Sequence, residues 1–426
     1  MKKGLKAVVS LVMMFVLSMG SSAQAITSKA PVPPTIGNGS YKTGVYRNVF
    51  VEGGITDAKT SQNKLNEMWN TYFKSNDPNY TKRIYHEIGS DMAAIHEKPT
   101  DDVITEGQSY GMMICVQMNK KDEFDKLWKF AKTYMYRSSG QYKGYFSNKV
   151  SGSGKIVDEG PAPDGEEYFA AALFMAGSRW GNGSGIFNYA NEANSILNVM
   201  LHQQPDGCPT VVDLKNNQIK FAPYCNWTDP SYHVPAFYDY FALKSSSKTD
   251  QVTWGKMATT SRQMWLKFAP GGTGLNPCYA TFDGKPYDDP NVNHGYGGNF
   301  KSDAYRTVMN AAVDYSWWAA NSNEITYANN VANWFNSKLK ENKDSYPCEY
   351  SMDGTALVSY ESNALYACNA TVALACNSGS WNNGYGMADK FWRSMAYIPT
   401  GDYRYWNGLI SMLGMLHLTG NFKIYK

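Results

Sequence analysis

The feature that most constrains the fold is the spacing of apolar residues, which follows the period of a helix along most of the chain after residue 58. In one clear stretch, Leu65, Met68, Trp69, Tyr72 and Phe73 occupy the positions i, i+3, i+4, i+7 and i+8 of one helix face. Stretches of this kind predict twelve helices, at residues 59–74, 106–119, 122–136, 164–180, 186–203, 229–245, 251–268, 303–320, 323–341, 361–376, 383–397 and 404–419.

Twelve helices joined mostly by short turns can close into six hairpins, with inner and outer helices alternating, which is an all-α (α/α)6 barrel. All inner helices of such a barrel run in the same direction. Their N-termini therefore meet at one end and bring together residues that are distant in sequence. Two long segments, 138–163 and 269–302, are too rich in Gly, Asn and Pro to be helical. Because long loops in compact domains usually serve function, we expect both on the cleft side.

The first 25 residues have the three parts of a secretory signal peptide. Three lysines precede an apolar run from Ala7 to Leu17, and a small-residue cleavage site follows at Ala23-Gln24-Ala25. The apolar run is shorter than the roughly 20 residues that a membrane-spanning helix needs. We therefore predict a secreted, extracellular protein, with an N-terminal extension over 26–45 and a single domain over 46–426.

Charge and cysteine content limit the partners of the chain. Without the three lysines of the leader, 37 basic and 37 acidic residues remain. This balance argues against a nucleic-acid partner, which needs a basic face, and we expect a monomer without a membrane partner. The seven cysteines are an odd number without metal-type spacing, so we expect no metal and no cofactor. Cys208 and Cys225 flank a short β-like segment and could pair in an oxidising compartment.

Carboxylates cluster at the predicted starts of alternate, inner helices. Five of these six starts carry one at or beside the first residue, namely Glu106, Asp164, Asp229, Asp303 and Glu361. Acidic residues are favoured in any first helical turn by capping and by the helix dipole, so this placement alone indicates no chemistry. The same alternate helices, however, also carry the most distinctive local sequences of the chain.

Five local sequences stand out from the helical background. They are Thr105-Glu106-Gly107-Gln108-Ser109-Tyr110-Gly111-Met112-Met113, Ala162-Pro163-Asp164-Gly165-Glu166-Glu167-Tyr168-Phe169, Asp229-Pro230-Ser231-Tyr232-His233-Val234-Pro235-Ala236-Phe237-Tyr238, Phe300-Lys301-Ser302-Asp303-Ala304-Tyr305-Arg306 and the closing run from Tyr403 to Ile424. In order and spacing the chain resembles glycoside hydrolase family 8, and within it the xylan-acting branch. The resemblance extends over essentially the whole chain after the leader.

The resemblance implies an inverting hydrolase on an (α/α)6 barrel, and it assigns roles by position. Glu106 matches the general acid of the family, and Asp303 matches the general base. Asp164 matches the carboxylate that holds and helps to distort the sugar at the cleavage point. The substrate-binding matches are Tyr232 beside the attacking water, with nearby Tyr238 as its alternative, Arg306 near the base and Tyr403 along the cleft.

The chemistry of inversion accounts for this set of residues. A carboxylic acid protonates the leaving oxygen while a carboxylate on the far side of the sugar activates water, with roughly 6.5–9.5 Å between the two. The acid must keep its proton near neutral pH, so burial and the charge of Asp164 have to outweigh the effect of a helix N-terminus on Glu106. Asp303 must stay ionised, and Arg306, one turn further along the helix, is placed to favour its charge.

The resemblance leaves the substrate open among xylan, β-1,4-glucan, mixed-linkage glucan, chitosan and short xylo-oligosaccharides. Chitosan is polycationic and would favour an acidic cleft, whereas this chain is balanced in charge. Family members that release xylose from the reducing end narrow the cleft with a histidine-bearing loop. The corresponding stretch, Lys343 to Ser359, contains no histidine. We therefore expect cleavage of internal β-1,4-xylosidic bonds of xylan, with the reducing-end xylose-releasing exo-oligoxylanase, the β-1,4-glucanase and the chitosanase as alternatives.

The chain departs from the family pattern at one position, and two other classes of protein are alternatives. Many relatives carry a tryptophan after a Gly-Tyr-Phe run, but Ser147, Asn148 and Lys149 follow it here, so a platform for stacking a sugar is absent. A carbohydrate-binding protein without catalysis is opposed by the retention of all three carboxylates. An (α/α)6 lyase would need a neutralising cluster for acidic sugars, and none stands out. His233, inside a motif, is expected to be buried and hydrogen-bonded.

Overall fold

The computed structural model describes residues 34–77, 81–97, 100–202, 207–289, 296–377 and 379–426. The predicted signal peptide and the first part of the predicted N-terminal extension, up to residue 33, lie outside these described residues. Within the described ranges, no helix has both the length and the apolar character of a membrane span.

Helices dominate the described residues. They are α1 (Ser40–Thr43), α2 (Val49–Glu52), α3 (Ala58–Trp69), α4 (Thr105–Gln117), α5 (Lys121–Phe130), α6 (Pro163–Trp180), α7 (Tyr189–Leu201), α8 (Pro235–Lys244), α9 (Lys248–Phe268), α10 (Tyr305–Trp318), α11 (Ser322–Glu341), α12 (Asn363–Ala370), α13 (Trp381–Ser394) and α14 (Trp406–Leu418). All twelve predicted helices are confirmed as α3 to α14. The single-turn helices α1 and α2 were not predicted, since neither is long enough to show a period.

The even-numbered helices from α4 to α14 pack side by side in a closed inner ring. Each odd-numbered helix from α5 to α13 packs outside the inner helix that precedes it, and α3 packs against α14. The inner helices therefore run in one direction, and the predicted (α/α)6 barrel is confirmed.

Burial distinguishes the two rings. Inner helix α4 is buried on every side from Gly107 to Gln117, as expected for a helix surrounded by neighbours. Outer helix α5 buries Phe124, Leu127 and Trp128 and turns its charged residues to solvent. The core of the molecule thus lies within the inner ring and between the two rings.

Several inner helices begin later than predicted, because short 3-10 turns precede them. Asp229 caps a separate 3-10 turn, Pro230–Tyr232, and α8 begins only at Pro235, whose fixed φ suits the first turn of a helix. Asp303 lies in a 3-10 turn, Ser302–Ala304, that leads directly into α10. These carboxylates therefore sit just before the helices and not within them.

Short antiparallel strands fasten the loops at the same end as the starts of α4 and α6. The strands are β1 (Tyr85–Ile88), β2 (Met92–Ile95), β3 (Val103–Ile104), β4 (Lys149–Val150), β5 (Ile156–Asp158), β6 (Val212–Asp213) and β7 (Gln218–Ile219). The pairs β1–β2 and β6–β7 form hairpins, and β3, β4 and β5 form one sheet in that order. Because β3 runs directly into α4, this sheet holds the predicted loop 138–163 beside the start of α4.

The predicted β-like segment between Cys208 and Cys225 is confirmed as β6 and β7. The disulfide that was considered between these two residues is not present, and all seven cysteines are unpaired thiols. The backbone of Cys208 is tied to Gln141, whereas that of Cys225 closes a turn on Ala222, so different contacts fix the two positions.

Candidate active site

A groove of about 410 Å³ opens at the N-terminal ends of the inner helices. Five of the seven predicted site residues share it, and they come from four separate parts of the chain. The lining residues are Ile104, Glu106, Asn148, Asp158, Gly160, Pro161, Ala162, Asp164, Phe221, Ala222, Tyr232, Tyr279, Asp303 and Arg306.

A larger cavity of about 620 Å³ lies at the opposite end of the barrel, where the inner helices finish. Its lining includes Gln117 from the end of α4, Arg179 from the end of α6 and Leu416 from the end of α14. The described residues that line it include no carboxylate. A site for general acid and base catalysis needs carboxyl groups, so the smaller groove is the candidate active site.

Arg306 is the centre of the groove. Its Nη1 donates to Glu106 Oε2 at 2.8 Å, to Asp164 Oδ2 at 2.7 Å and to the Tyr110 hydroxyl at 3.0 Å. Its Nη2 lies 3.9 Å from Asp303 Oδ1. Glu106 and Asp303 therefore contact different terminal nitrogens of one planar guanidinium group, and its width together with the two contact distances sets an upper limit on their separation.

Glu106 is set up to hold a proton. Burial raises the pKa of this carboxyl group to about 8, and the negative charges of Asp164 and Asp303 act in the same direction. Arg306 opposes this shift, but its charge is shared with two other carboxylates. Glu106 is therefore mainly protonated at neutral pH, as an acid for a leaving group must be.

Asp164 and Asp303 differ in their access to solvent. The side chain of Asp164 is 6% exposed, whereas that of Asp303 is 29% exposed and can meet a water molecule. Burial raises the pKa of both carboxyl groups, and Arg306 is the group that favours their ionised forms. The expectation that Arg306 favours the charge of Asp303 agrees with this geometry.

Asp229 is a further buried carboxyl group beside the groove. Burial raises its pKa to about 8, the charge of Asp303 raises it further, and Arg306 opposes the shift. Four carboxyl groups thus surround one arginine. Burial favours the protonated form of each of them, and Arg306 is the cation that opposes this effect in all four.

The two candidate tyrosines have different positions. Tyr232 lines the groove, and its ring stacks on Phe221 with centroids 5.7 Å apart. Tyr238 is fully buried, and its hydroxyl oxygen lies 2.7 Å from Glu167 Oε1 and 2.8 Å from the Tyr232 carbonyl oxygen, within hydrogen-bond distance of both. Tyr238 therefore supports the Tyr232 backbone and does not line the groove, so its position does not fit the predicted substrate contact.

Tyr403 also lies outside the lining of the groove. It ends the 3-10 turn before α14 and is 72% exposed, on the same face of the barrel. A residue so exposed can contact only a substrate that extends beyond the central groove. Glu361, left without a role by the sequence, accepts a hydrogen bond from Tyr366 at 2.5 Å and has a structural position.

His233 is buried and hydrogen-bonded, as expected. Its two ring nitrogens contact the hydroxyl groups of Ser261 at 2.8 Å and Thr228 at 3.0 Å. Burial lowers the pKa of this imidazole to about 3, so His233 is neutral at neutral pH. Its place in a motif reflects packing.

The wall that lacks the family tryptophan is polar. Asn148 lines the groove and donates to Asp158 Oδ2 at 3.0 Å, while Ser147 is fully buried. Hydrogen-bonding groups therefore take the place of an aromatic platform at this position.

The sequence did not single out the aromatic wall of the groove. Phe221 and Tyr279 line it, and Trp227 stacks behind Phe221 with ring centroids 4.3 Å apart. These three residues lie in irregular segments, where the spacing of apolar residues gives no signal. Tyr279 does fall within 269–302, one of the two loops expected at the cleft.

Among the described residues, no group of three or more His, Cys, Asp or Glu side chains is arranged to hold a metal ion. The side chains of the groove can catalyse by proton transfer: one carboxyl group can donate a proton to a bound substrate, and another can accept a proton from it or from water.

Comparison with known proteins supplies a family. The family model described as Glycosyl hydrolases family 8 matches residues 58–420. Reducing-end xylose-releasing exo-oligoxylanase Rex8A of Paenibacillus barcinonensis is 36% identical over 391 residues, which cover 91% of this chain and 99% of that protein. A reducing end xylose-releasing exo-oligoxylanase of Halalkalibacterium halodurans is 37% identical over 392 residues, 91% of this chain and 96% of that protein.

More distant relatives and solved structures agree. Endoglucanase 2 of Ruminiclostridium josui is 27% identical over 428 residues, 98% of this chain and 83% of that protein. The structure of Rex8A from Paenibacillus barcinonensis complexed with xylose superposes with a TM-score of 0.84 at 35% identity, covering 91% of this chain and all of that one.

Proposed function

Because this chain belongs to glycosyl hydrolases family 8, we propose that it is a secreted, inverting enzyme that releases xylose from the reducing end of β-1,4-linked xylo-oligosaccharides. The reaction rests on one observation, the convergence of Glu106 and Asp303 on the two terminal nitrogens of Arg306 in a single groove. The substrate rests on two reducing-end exo-oligoxylanases that are similar over nearly their whole length. Secretion rests on the leader-like residues 1–25.

Glu106 is the proposed general acid. It enters the reaction protonated, because burial holds its pKa near 8, and it gives its proton to the oxygen of the leaving xylose. The loss of this proton leaves a carboxylate beside Arg306 Nη1, 2.8 Å away, which stabilises the new charge.

Asp303 is the proposed general base. It takes a proton from a water molecule, whose oxygen attacks the anomeric carbon from the face opposite the leaving group. Inversion needs roughly 6.5–9.5 Å between the two carboxyl groups. The contacts of Arg306 to both groups keep them in the same groove and limit how far apart they can lie. Tyr232 lies in the same groove to position the sugar or the water.

Asp164 has a proposed role in holding the sugar at the cleavage point. It accepts a hydrogen bond from Arg306 Nη1 at 2.7 Å and a backbone hydrogen bond from Gly165 at 2.9 Å, so its carboxyl group is fixed in place. A fixed acceptor can bind sugar hydroxyl groups more strongly in the distorted ring of the transition state than in the relaxed ring.

Endo-cleavage of xylan is the second candidate. It was the expectation from sequence, and the observation that favours it is the absence of histidine from Lys343 to Ser359. The similarity to the two exo-oligoxylanases weighs more heavily, because it extends over the whole catalytic chain and is greater than that to the endoglucanase.

The deciding experiment is the time course of products from xylotetraose and from xylotetraose reduced to its alditol. Exo-action predicts xylose and xylotriose in equal amounts, slow cleavage of the alditol and little loss of xylan viscosity. A rapid fall in viscosity with mixed oligosaccharides would instead establish endo-action. Proton NMR of fresh digests should show the α-anomer first, and an initial β-anomer would exclude inversion.

The variant Glu106→Gln tests the acid and the non-enzymatic alternative together. Gln keeps the shape but has no proton to give, so we expect turnover to fall by about 10²–10⁴-fold with binding retained. Asp102→Asn is the control, because this carboxylate precedes the same helix but does not line the groove. Wild-type binding without hydrolysis of any oligosaccharide would favour a carbohydrate-binding protein.

A further inference from the structure

The Asp229 carboxyl group is buried beside the groove and has no role in the proposed reaction. Its Oδ1 accepts the Ser231 N–H at 2.7 Å and so caps the 3-10 turn that carries Tyr232. Its Oδ2 is buried and has no hydrogen-bond partner among the described residues. A buried polar atom without a partner costs free energy, so a functional reason is expected for it.

Asp303 lacks a close hydrogen-bond donor among the described residues, whereas Asp229 has an oxygen without a partner. The Asp303 carboxylate makes one long contact, 3.9 Å to Arg306 Nη2, and no closer hydrogen bond within the described part of the chain. The turn Ser302–Ala304 packs against the turn Pro230–Tyr232, which brings the two aspartates together. Asp303 is also the neighbouring charge that most raises the pKa of Asp229.

The surroundings of Asp229 decide where a proton can reside. Besides Asp303, the groups that interact with it electrostatically are Glu106, Tyr232, Cys278, Tyr279 and Arg306. Arg306 is the sole cation of this set, and its single charge already faces the carboxyl groups of Asp164 and Asp303. A second full negative charge beside Asp303 would be uncompensated. The proton of Asp229 belongs on Oδ2, because Oδ1 already accepts an N–H.

We propose that Asp229 is a positioning residue for the general base: its neutral carboxyl group turns Oδ2–H toward Asp303 and, with a small side-chain movement, donates a hydrogen bond to that carboxylate. This bond keeps Asp303 ionised and directs its free oxygen to the attacking water. The inference rests on the proposed role of Asp303 as base. It requires Asp229 to be protonated in the active form, in addition to Glu106.

The pH dependence of kcat/KM on xylotetraose tests this requirement. Burial raises the pKa of both Glu106 and Asp229 to about 8, so wild-type activity should fall above this pH with a limiting logarithmic slope of about two protons. Asp229→Asn offers an N–H donor in the same place and cannot ionise. Its slope should fall to about one, with a lower kcat and a KM within about twofold of wild type.

Asp229→Ser separates the hydrogen bond from the cap. Serine is a good capping residue, so the melting temperature should stay near that of wild type, but its hydroxyl is too short to reach Asp303. We expect kcat/KM to fall roughly 10- to 100-fold, which corresponds to one hydrogen bond to a charged group. Asp57→Asn is the matched control, an exposed capping aspartate of α3 whose replacement should leave the slope at two.

An unchanged slope in Asp229→Asn, or wild-type kcat/KM in folded Asp229→Ser, would overturn the role of Asp229. Neither result would affect the proposed hydrolysis, which the wild-type enzyme alone tests. If the wild type cleaves no xylo-oligosaccharide, the proposed function is wrong irrespective of the variants.

Discussion

Among single residues, Arg306 has the widest influence on the groove. One guanidinium group contacts Glu106 and Asp164 directly and Asp303 at longer range, and its planar fork fixes their relative positions. Arg306 also lowers the pKa of all three carboxyl groups against the opposing effect of burial. It therefore determines which of them are ionised at a given pH.

Replacement of Arg306 should move the acid limb of the pH profile. In Arg306→Met the pKa of Asp303 loses its main lowering influence, so the base is protonated at a higher pH and the acid limb shifts upward. We expect kcat/KM at pH 6 to fall by at least roughly tenfold, the effect of one pKa unit or more. Arg306→Lys keeps the charge without the fork and should shift the limb less.

The control for these variants is Arg393→Lys. Arg393 is 45% exposed and pairs with Asp344 and Asp389 on the surface. It does not line the groove. Its replacement should leave the pH profile of kcat/KM unchanged. An acid limb that stays in place in Arg306→Met would show that Arg306 does not set the ionisation of the base.

At the scale of elements, close packing of α4 and α6 positions the acid and its neighbour. Gly165, which follows Asp164, approaches Thr105 so closely that an added Cβ would lie 2.5 Å from the Thr105 Cβ. Thr105 in turn precedes Glu106. The contact between the two helix starts therefore sets the distance between the two carboxylates.

Gly165→Ala should separate the two helices. Alanine favours a helix by up to about 1 kcal/mol, but overpacking of a buried contact costs about 1–3 kcal/mol, so we expect a net loss of stability. The displaced carboxylates should also lower kcat/KM. Thermal unfolding and initial rates measure the two effects.

Gly255→Ala is the counterpart on outer helix α9, where an added Cβ meets no atom within 4 Å. Here only the helix propensity changes, so stability should rise by up to about 1 kcal/mol with unchanged kcat/KM. Equal effects of the two substitutions would contradict the packing argument.

At the scale of the whole molecule, buried ionisable groups make stability depend on pH in opposite directions. Burial raises the pKa of Glu106, Glu166 and Asp229 to about 8, so folding becomes less favourable as pH rises from their ordinary values to that point. Burial lowers the pKa of His233 and His417 to about 3, so stability falls as pH decreases below about 6.5. Maximal stability should therefore lie in mildly acidic solution.

Glu166→Gln tests the alkaline side of this balance. Glu166 binds the Phe146 N–H at 3.1 Å, which Gln can also do, but Gln takes up no proton. Between pH 4.5 and about 8 the folded wild type holds a proton on Glu166 that the unfolded chain lacks, so its unfolding free energy decreases with pH. In the variant, the decrease of the unfolding free energy with pH should be smaller than in the wild type by about 1.4 kcal/mol per pH unit.

Denaturant unfolding from pH 5 to 8 measures this slope. Glu67→Gln on the exposed surface of α3 serves as control, because its side chain is 56% exposed and should follow the wild-type curve. A slope in Glu166→Gln that equals that of wild type would mean that Glu166 is ionised inside the folded protein.

Local patterns in the sequence were sufficient for the architecture. Helical spacing depends only on which residues face a core, so all twelve barrel helices and their alternation could be predicted. Motifs with fixed local order led to Glu106, Asp164, Tyr232, Asp303 and Arg306. The starts of α8, α10 and α14 were less well predicted, because a short 3-10 turn precedes each of them and leaves a weak periodic signal.

Tertiary structure decided what no local pattern contains. Which of two nearby tyrosines faces the groove depends on Tyr238 finding partners in Glu167 and Tyr232. Glu106 and Asp164 share the Arg306 guanidinium group only because helices that are distant in the chain meet. The same meeting of helices buries Glu106 and Asp229 and so favours their protonated forms. The sequence by itself determined the helices and the chemical groups, whereas pKa and contact are properties of surroundings, and only the closed barrel creates those surroundings.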